Sequence, residues 1–292
     1  MRKERRTPAS VDLYNTSYDN FSARVQAEVR AETYGEDLGQ SSWMTADELR
    51  QFIRRLKVKP SSHVLEVGSG SGGPALFVAR TVGCRITGLD INEYGVRNAN
   101  DLAGRQRLDG LARFKRADAS QSLPFARNSF DAILSNDAMC HIPRRGDVLR
   151  EWFRVLKPGG HMLFTDAMVI SGLLSNEEIA TRSSIGSYFF LPPGENERLI
   201  RASGFELVRT DDVTASAAII AKRWHDARAR RGKDLARIEG KANFEGLQKF
   251  LFRVHIVSAE GRLSRYAYLA RKPKPSRPRS SLGKLAGPPH YT

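Results

Sequence analysis

Val64-Leu65-Glu66-Val67-Gly68-Ser69-Gly70-Ser71-Gly72-Gly73 joins a short apolar strand pattern to a crowded glycine turn. Glycines let the backbone pass close to a ligand and take angles that a side chain forbids. The helical pattern that starts at Pro74 offers its first amides, and the positive end of its dipole, to the same spot. The chemistry on offer is the holding of a nucleotide or nucleoside beyond a first parallel strand. Gly68, Gly70 and Gly73 also fit Gly-x-Gly-x-x-Gly, so a dinucleotide enzyme carries the same signal. Glu66, two residues ahead of the first glycine, argues for a different ligand. A carboxylate there repels a pyrophosphate and suits a cationic ammonium group. Asp90 follows about 20 residues on, where an acid accepts from ribose hydroxyls, as dinucleotide sites do too. Asp118, after the next strand pattern, is placed to accept from an adenine amino group or to cap a turn.

These residues are spaced by alternating strand and helix patterns. Strand His63–Val67 precedes helix Pro74–Val82, and strand Arg85–Asp90 precedes helix Glu93–Leu108. Ala112–Arg116 and Phe130–Ser135 read as strands, and Arg144–Leu156 as a helix that stops at Lys157-Pro158-Gly159-Gly160. Strand His161–Asp166 follows. Short apolar strands separated by crossovers predict a doubly wound, Rossmann-like α/β fold with a parallel sheet. Phe205–Val213 and Ser264–Arg271 read as a sixth and a seventh strand, with helical patterns over Ala215–Glu239 and Asn243–Glu260 between them. The organisation expected is a basic arm over residues 1–10, an N-terminal helical lid over 11–58 and a catalytic domain over 59–271. Lid insertions fall at about 167–204 and 214–262, and a proline-rich basic tail over 272–292. The arm and the tail read as disordered. Thr45 with Glu48 three residues on is a capping-box pattern that starts a helix.

Glu66-x-Gly68-x-Gly70-x-Gly72, Asp90, Asp118 and Asn136-Asp137 together resemble the class I S-adenosylmethionine-dependent methyltransferases of the type 11-like group. The resemblance covers about residues 34–271. It implies a seven-stranded sheet whose last strand is antiparallel, and S-adenosylmethionine as cofactor. It also implies that the glycine turn lies near the methionine part, Asp90 on the ribose, Ile91 against adenine, and Asp118-Ala119 at the adenine edge. Asn136 belongs to the same cofactor set. Within the class, the chain is similar to the phosphoethanolamine and glycine/sarcosine N-methyltransferases. Gly35-Glu36-Asp37 matches their segment before the first strand, and Gln40-Ser41-Ser42 resembles their cofactor-touching loop. Asp137-Ala138-Met139-Cys140-His141 matches the Asp-Ala-x-x-His of the phosphobase enzymes. The chain departs from those enzymes at Ala167 and Gly186, where an aromatic and a basic residue are expected, which argues against a phosphorylated substrate.

The resemblance puts His141 where the methyl group is transferred. Its near-neutral ordinary pKa suits it to accept a proton from an amine or hydroxyl, or to orient a tyrosine that does so. A packing or capping histidine ahead of Pro143 is the plainer alternative. Tyr14 and Tyr18 are candidates for a tyrosine that closes over the substrate, or for ordinary packing. Asp137, Met139, His141, Tyr188 and Phe189 form the expected substrate-binding set. Cys140 lacks the preceding proline of cytosine C5 methylating enzymes and reads as a pocket wall. Asn136-Asp137-Ala138-Met139 lacks the Asp/Asn-Pro-Pro-Tyr that clamps a flipped base. The run Arg228-Ala229-Arg230-Arg231-Gly232-Lys233 reads as a solvated helix face. No ligands sit at metal spacing around His225 or His255, so no metal is expected.

The chain has 292 residues, 40% of them hydrophobic, which suffices for a real core. It carries no run of about 18 apolar residues, so no membrane span is expected. Its two cysteines and charged N-terminus lead to a cytoplasmic expectation. The formal net charge is +15, but residues 1–6 carry four cations and one anion, and residues 271–292 six cations and no anion. The charge therefore gathers at the termini, and the expected partner is a small-molecule substrate rather than a nucleic acid. Methyl transfer to nitrogen or oxygen is the leading reading, with carbon as a further option. A dinucleotide-dependent oxidoreductase and a non-catalytic S-adenosylmethionine-binding module associated with RNA are the alternatives.

Overall fold

The computed structural model describes residues 11–275. The expectations for the arm over residues 1–10, and for residues 276–292 of the tail, lie outside the described residues. Seven strands form one sheet: β1 (His63–Val67), β2 (Arg85–Asp90), β3 (Ala112–Arg116), β4 (Phe130–Ser135), β5 (Leu156–Ile170), β6 (Glu206–Asp212) and β7 (Leu263–Arg271). Their order is β3-β2-β1-β4-β5-β7-β6. The pairs β3–β2, β2–β1, β1–β4 and β4–β5 are parallel, and β7 runs antiparallel to both β5 and β6. This is the Rossmann-like sheet that the strand and helix alternation predicts, with the antiparallel last strand that the family resemblance implies. Strand order reverses between β1 and β4, which opens a crevice at their carboxyl ends.

Eleven helices surround the sheet among the described residues: α1 (Tyr14–Asp19), α2 (Arg24–Tyr34), α3 (Ala46–Leu56), α4 (Gly73–Val82), α5 (Glu93–Arg105), α6 (Arg145–Val155), α7 (Asn176–Arg182), α8 (Glu195–Ala202), α9 (Thr214–Arg230), α10 (Gly232–Glu239) and α11 (Lys241–Ala259). Neighbouring strand residues point to opposite faces. Val64, Ile86, Ala132 and Leu134 pack with Leu49, Phe52 and Leu76 on one side of the sheet. Leu65, Leu89, Ile133 and Phe164 pack with Leu149, Trp152 and Ile200 on the other. A third apolar cluster lies beyond the strands. It joins Val29 and Tyr34 of α2 to Ile220 and Trp224 of α9 and to Phe250 and Val254 of α11. The helix starts carry local signals. Thr45 accepts from the Glu48 amide at 3.1 Å, and Asn92 accepts from the amides of Tyr94 and Gly95. Helix α1 is tied down by Asn98, which donates to the Tyr18 carbonyl at 2.6 Å, and by Asn92, which donates to Asn15 at 2.7 Å.

Several elements differ from the sequence expectation. Strand β5 begins at Leu156 and continues to Ile170, beyond His161–Asp166 at both ends. Pairing with β4 at Leu156 and with β7 as far as Ile170 supplies the backbone partners that a local reading of Pro158-Gly159-Gly160 leaves out. The helical pattern over 215–239 is two helices, α9 and α10, parted at Arg231-Gly232. Arg228 is not on a solvated face. It is 1% exposed and ion-paired with Glu239 at 2.6 Å. Arg231 is half-buried, pairing with Glu28 and Glu32 of α2. The tail expected from residue 272 begins inside the fold, because Lys272 is buried and donates to the carbonyls of Phe153 and Leu156. No helix among the described residues is long and apolar enough to cross a membrane.

Candidate active site

A cleft of ≈ 620 Å³ lies at the carboxyl ends of β1, β2 and β4, roofed by α1. Gly68, Asp90, Ile91, Asp118, Ala119, Asn136, Asp137 and His141 all line it, and Tyr14, Tyr18 and Ser41 face it from the N-terminal segment. The sequence separation between those groups is closed by the sheet, which brings the ends of its strands together. A recess of ≈ 40 Å³ continues under Tyr18 and is walled by Gln40, Ser41, Glu66, Gly68, Gly70 and Asn136.

The glycine turn is held by backbone geometry. Gly68, Gly70 and Gly72 have φ of 75°, 51° and 79°, the left-handed region that side chains resist. A Cβ on Gly68 would stand 2.3 Å from the Ala138 methyl, and one on Gly72 would stand 2.7 Å from that of Ala99. Asp90 braces the turn, accepting from the Gly70 amide and the Asn92 amide at 2.8 Å each. Its carboxyl sits above the usual range because burial outweighs those hydrogen bonds. Glu66 is 2% exposed, and its Oε2 has no hydrogen-bond partner among the described residues. Burial, with Asp90 nearby, pushes its carboxyl up to about 8. A buried acid with an unused oxygen, beneath a floor that admits no side chain, fits a ligand bearing a cationic group.

At the other end of the cleft, Ile91 is 63% exposed and offers a free apolar face. Asp118 accepts from the Ser120 amide at 2.9 Å, and hydrogen bonds from Ser120 hold its carboxyl below the usual range.

His141 ends a short 3₁₀ turn, Met139–His141, after β4. Its Nδ1 lies 3.0 Å from the Ser187 carbonyl oxygen and its Nε2 lies 2.8 Å from the Tyr14 hydroxyl. A carbonyl only accepts, so Nδ1 carries the proton and Nε2 presents a lone pair, to which Tyr14 donates. Burial pushes the imidazole down to about 4, so this neutral tautomer prevails at physiological pH. Burial also raises Tyr14, and raises Tyr18 with Asp90 as the next cause. Beyond the pair, a chamber of ≈ 20 Å³ is walled by Trp43, Cys140, Arg182, Tyr188 and Trp224. The Tyr188 and His141 rings stand 4.3 Å apart. Cys140 is buried, donates to the Asp137 carbonyl at 3.3 Å, and has its thiol pushed up by burial, as befits a wall rather than a nucleophile.

Four of the expected residues sit differently. Met139 does not reach the cleft; the 3₁₀ turn points it into the apolar layer with Val148 and Trp152. Phe189 is 39% exposed and lines none of these cavities, while its backbone carbonyl accepts from Arg145. Asp137 reaches the cleft edge, but its oxygens accept from Trp43 N, Arg265 Nε and Thr165 Oγ1 at 2.9, 2.7 and 2.8 Å. It ties the loop in place, with little capacity left for a substrate. Gln40 turns its side-chain oxygen to the Leu38 amide at 2.7 Å and so shapes its own loop. Sequence reasoning missed Arg265, which is buried in β7 and pairs with Glu48 and Asp137 at 2.7 Å each. A charged residue inside an apolar strand pattern was the available signal. It also missed Trp43, Arg182, Ser187 and Trp224, for which the local pattern carries none.

Residues 65–164 match the family model described as a methyltransferase domain. The chain is 29% identical over 248 residues to a sterol 24-C-methyltransferase of Gibberella zeae, covering 71% of this chain and 64% of that one. It is 32% identical over 173 residues to a glycine/sarcosine/dimethylglycine N-methyltransferase of Actinopolyspora halophila, covering 57% of this chain and 30% of that one. The chain thus spans less than two thirds of the length of these curated relatives. In fold it resembles Haemonchus contortus phosphoethanolamine N-methyltransferase 2 solved in complex with S-adenosyl-L-methionine. The TM-score is 0.74 at 20% identity, over 88% of this chain and 60% of the other.

Proposed function

We propose that this chain, a member of the class I S-adenosylmethionine-dependent methyltransferases, transfers a methyl group to the nitrogen or oxygen of a small-molecule acceptor, with carbon as a further option. The observation that carries the reading is the Tyr14–His141 pair, 2.8 Å apart, between the glycine-floored cleft and the aromatic chamber. The pair sets a proton acceptor at the point where a ligand on the glycine turn meets a second molecule.

When bound, the cofactor supplies a methyl group on a sulfonium sulfur, open to in-line displacement. Glu66 and the recess walled by Ser41 and Asn136 suit its amino-acid end. Asp90 suits the ribose, and Ile91 with Asp118 and Ala119 suits the adenine. The protein's larger task is alignment and the exclusion of water. Orientation of a reacting pair is worth about 7–11 kcal/mol. His141 takes the proton that the acceptor loses, directly at Nε2 or through the Tyr14 hydroxyl. A positioned base adds roughly 10²–10⁴-fold when the nucleophile arrives protonated. The N-terminal helices and the insertion over 214–262 act as a lid that keeps the site dry.

The test is a screen of labelled S-adenosylmethionine against small amines, phenols and other natural-product acceptors. Methyl transfer to at least one acceptor is expected, and His141→Ala lowers it without weakening cofactor binding. A thermal shift with NAD(P) but not S-adenosylmethionine would count for an oxidoreductase instead. Cofactor binding with no turnover, together with salt-sensitive RNA binding, would count for a binding module.

A further inference from the structure

We propose that Arg182 recognises an anionic group of the methyl acceptor, and that this group is a carboxylate; the assignment deepens the methyl-transfer reading and rests on it. Arg182 closes α7 and is 2% exposed. Its Nε and Nη1 are buried with no hydrogen-bond partner among the described residues. The guanidinium carbon lies 4.5 Å from the Tyr188 ring centroid, 5.2 Å from that of Phe250 and 5.8 Å from that of Trp43. The side chain walls the chamber that continues the cleft past Tyr14 and His141.

Aromatic faces favour a cation, and the Tyr188 hydroxyl stands beside the guanidinium, but they bring no countercharge and leave Nε and Nη1 unmet. Other buried arginines of this chain show how it treats such groups. Arg145 pairs with Asp166, Arg228 with Glu239, and Arg265 with Glu48 and Asp137. Arg182 is as deeply buried and has no ion-pair partner among the described residues. The unmatched cation stands in the wall where the acceptor must enter. A carboxylate is planar, matches the guanidinium and supplies the missing charge. The chamber of ≈ 20 Å³ admits only the end group of an acceptor, so the body stays in the cleft. A nucleophilic nitrogen or oxygen of the same molecule then lies beside Tyr14 and His141, which share the chamber with Arg182. The chemical class is a small amino or hydroxy acid. The same site discriminates against the neutral amide, which would leave the cation buried and unpaired.

The full chain loaded with S-adenosylhomocysteine is titrated with acetate, sarcosine, phenylacetate, benzoate and 4-hydroxybenzoate, and with the amide of each. Inorganic phosphate is run alongside. Binding is read by tryptophan fluorescence, since Trp43 and Trp224 line the chamber. At least one acid is expected to bind ten-fold or more tightly than its amide. Arg182→Met loses that preference while holding S-adenosylhomocysteine as the wild type does, and Arg182→Lys recovers part of it. Equal binding of acid and amide overturns the proposal, as does an acid preference that survives in Arg182→Met. Binding of none of the acids, or of phosphate ahead of all of them, overturns it too. Should Arg182→Met not fold, the acid–amide ratios of the wild type and Arg182→Lys decide. Failure of S-adenosylhomocysteine to bind sinks the methyl-transfer reading instead, and the ligand-free chain still reports the acid–amide ratio.

Discussion

His141 and Glu66 are ordinary titratable residues whose burial favours their neutral forms. Burial holds His141 at about 4, so its Nε2 keeps a lone pair for Tyr14 throughout the neutral range. The methyl-transfer rate is therefore expected to show no His141 inflection between pH 6 and 8. Tyr14→Phe and His141→Ala should each lower turnover by roughly 10²-fold or more while cofactor affinity by calorimetry stays unchanged. An inflection near 6.5 that disappears in His141→Ala would contradict the buried neutral tautomer. Glu66 moves the other way, to about 8. Between its ordinary carboxylate pKa of about 4.3 and that value, the native state holds a proton the unfolded chain has released. Stability of the ligand-free protein thus falls as pH rises through that window. Glu66→Gln should flatten the dependence of the melting temperature on pH across it. A bound cation favours the ionised acid, so cofactor binding below pH 8 should release a proton. Calorimetry in buffers of different ionisation heat reads that proton directly, and identical heats would remove Glu66 from the cofactor site.

The glycine turn between β1 and α4 works as an element because close neighbours at Gly68, Gly72 and Gly73 leave no space in it for a Cβ. Gly73 shows the limit most sharply, since a Cβ there would stand 1.8 Å from the Leu38 carbonyl oxygen. The turn is thereby fitted to the N-terminal loop as well as to a ligand. Gly68→Ala combines a left-handed backbone, costing about 1–2 kcal/mol, with the Ala138 contact. It should lower both the melting temperature and cofactor affinity, the latter at least ten-fold. Normal affinity in a destabilised Gly68→Ala would separate the turn's packing from its ligand role. The short 3₁₀ turn after β4 divides its residues in the same way. Met139 enters the core, Cys140 walls the chamber and His141 faces the cleft.

Across the whole molecule, Arg265 ties the parts of the site together. It reaches from β7 to Glu48 of α3 and to Asn136 and Asp137 beyond β4, and Asp137 in turn accepts from the Trp43 amide. The loop ahead of α3, the base of the cleft and β7, one strand in from the edge of the sheet, are thus one hydrogen-bonded unit. Removing one partner leaves buried carboxylates uncompensated, which costs about 3–5 kcal/mol. Arg265→Ala is expected to lose that much in urea unfolding, a large share of the roughly 5–15 kcal/mol of a typical domain. A loss below about 1 kcal/mol would show the network to be dispensable.

The sequence by itself determined whatever depends on neighbours along the chain. The short apolar strands, the glycine turn, the Thr45 cap and the acids at strand ends are set by local backbone sterics and hydrogen bonding. Because a parallel sheet gathers its strand ends, Gly68, Asp90 and Asp118 could be placed at one crevice from their positions alone, and the family resemblance added His141. Tertiary structure decided which way each side chain points and what it meets. Met139 and Phe189 stood in the same expected substrate-binding set as His141, and packing turned them to the core and to solvent. Arg228 and Lys272 read as solvated cations until partners elsewhere in the fold buried them. Arg265 meets Asp137 and Glu48 across 128 and 217 residues of sequence. No local pattern encodes such a meeting, because the free energy of a buried charge is set by the partner that the whole fold delivers to it.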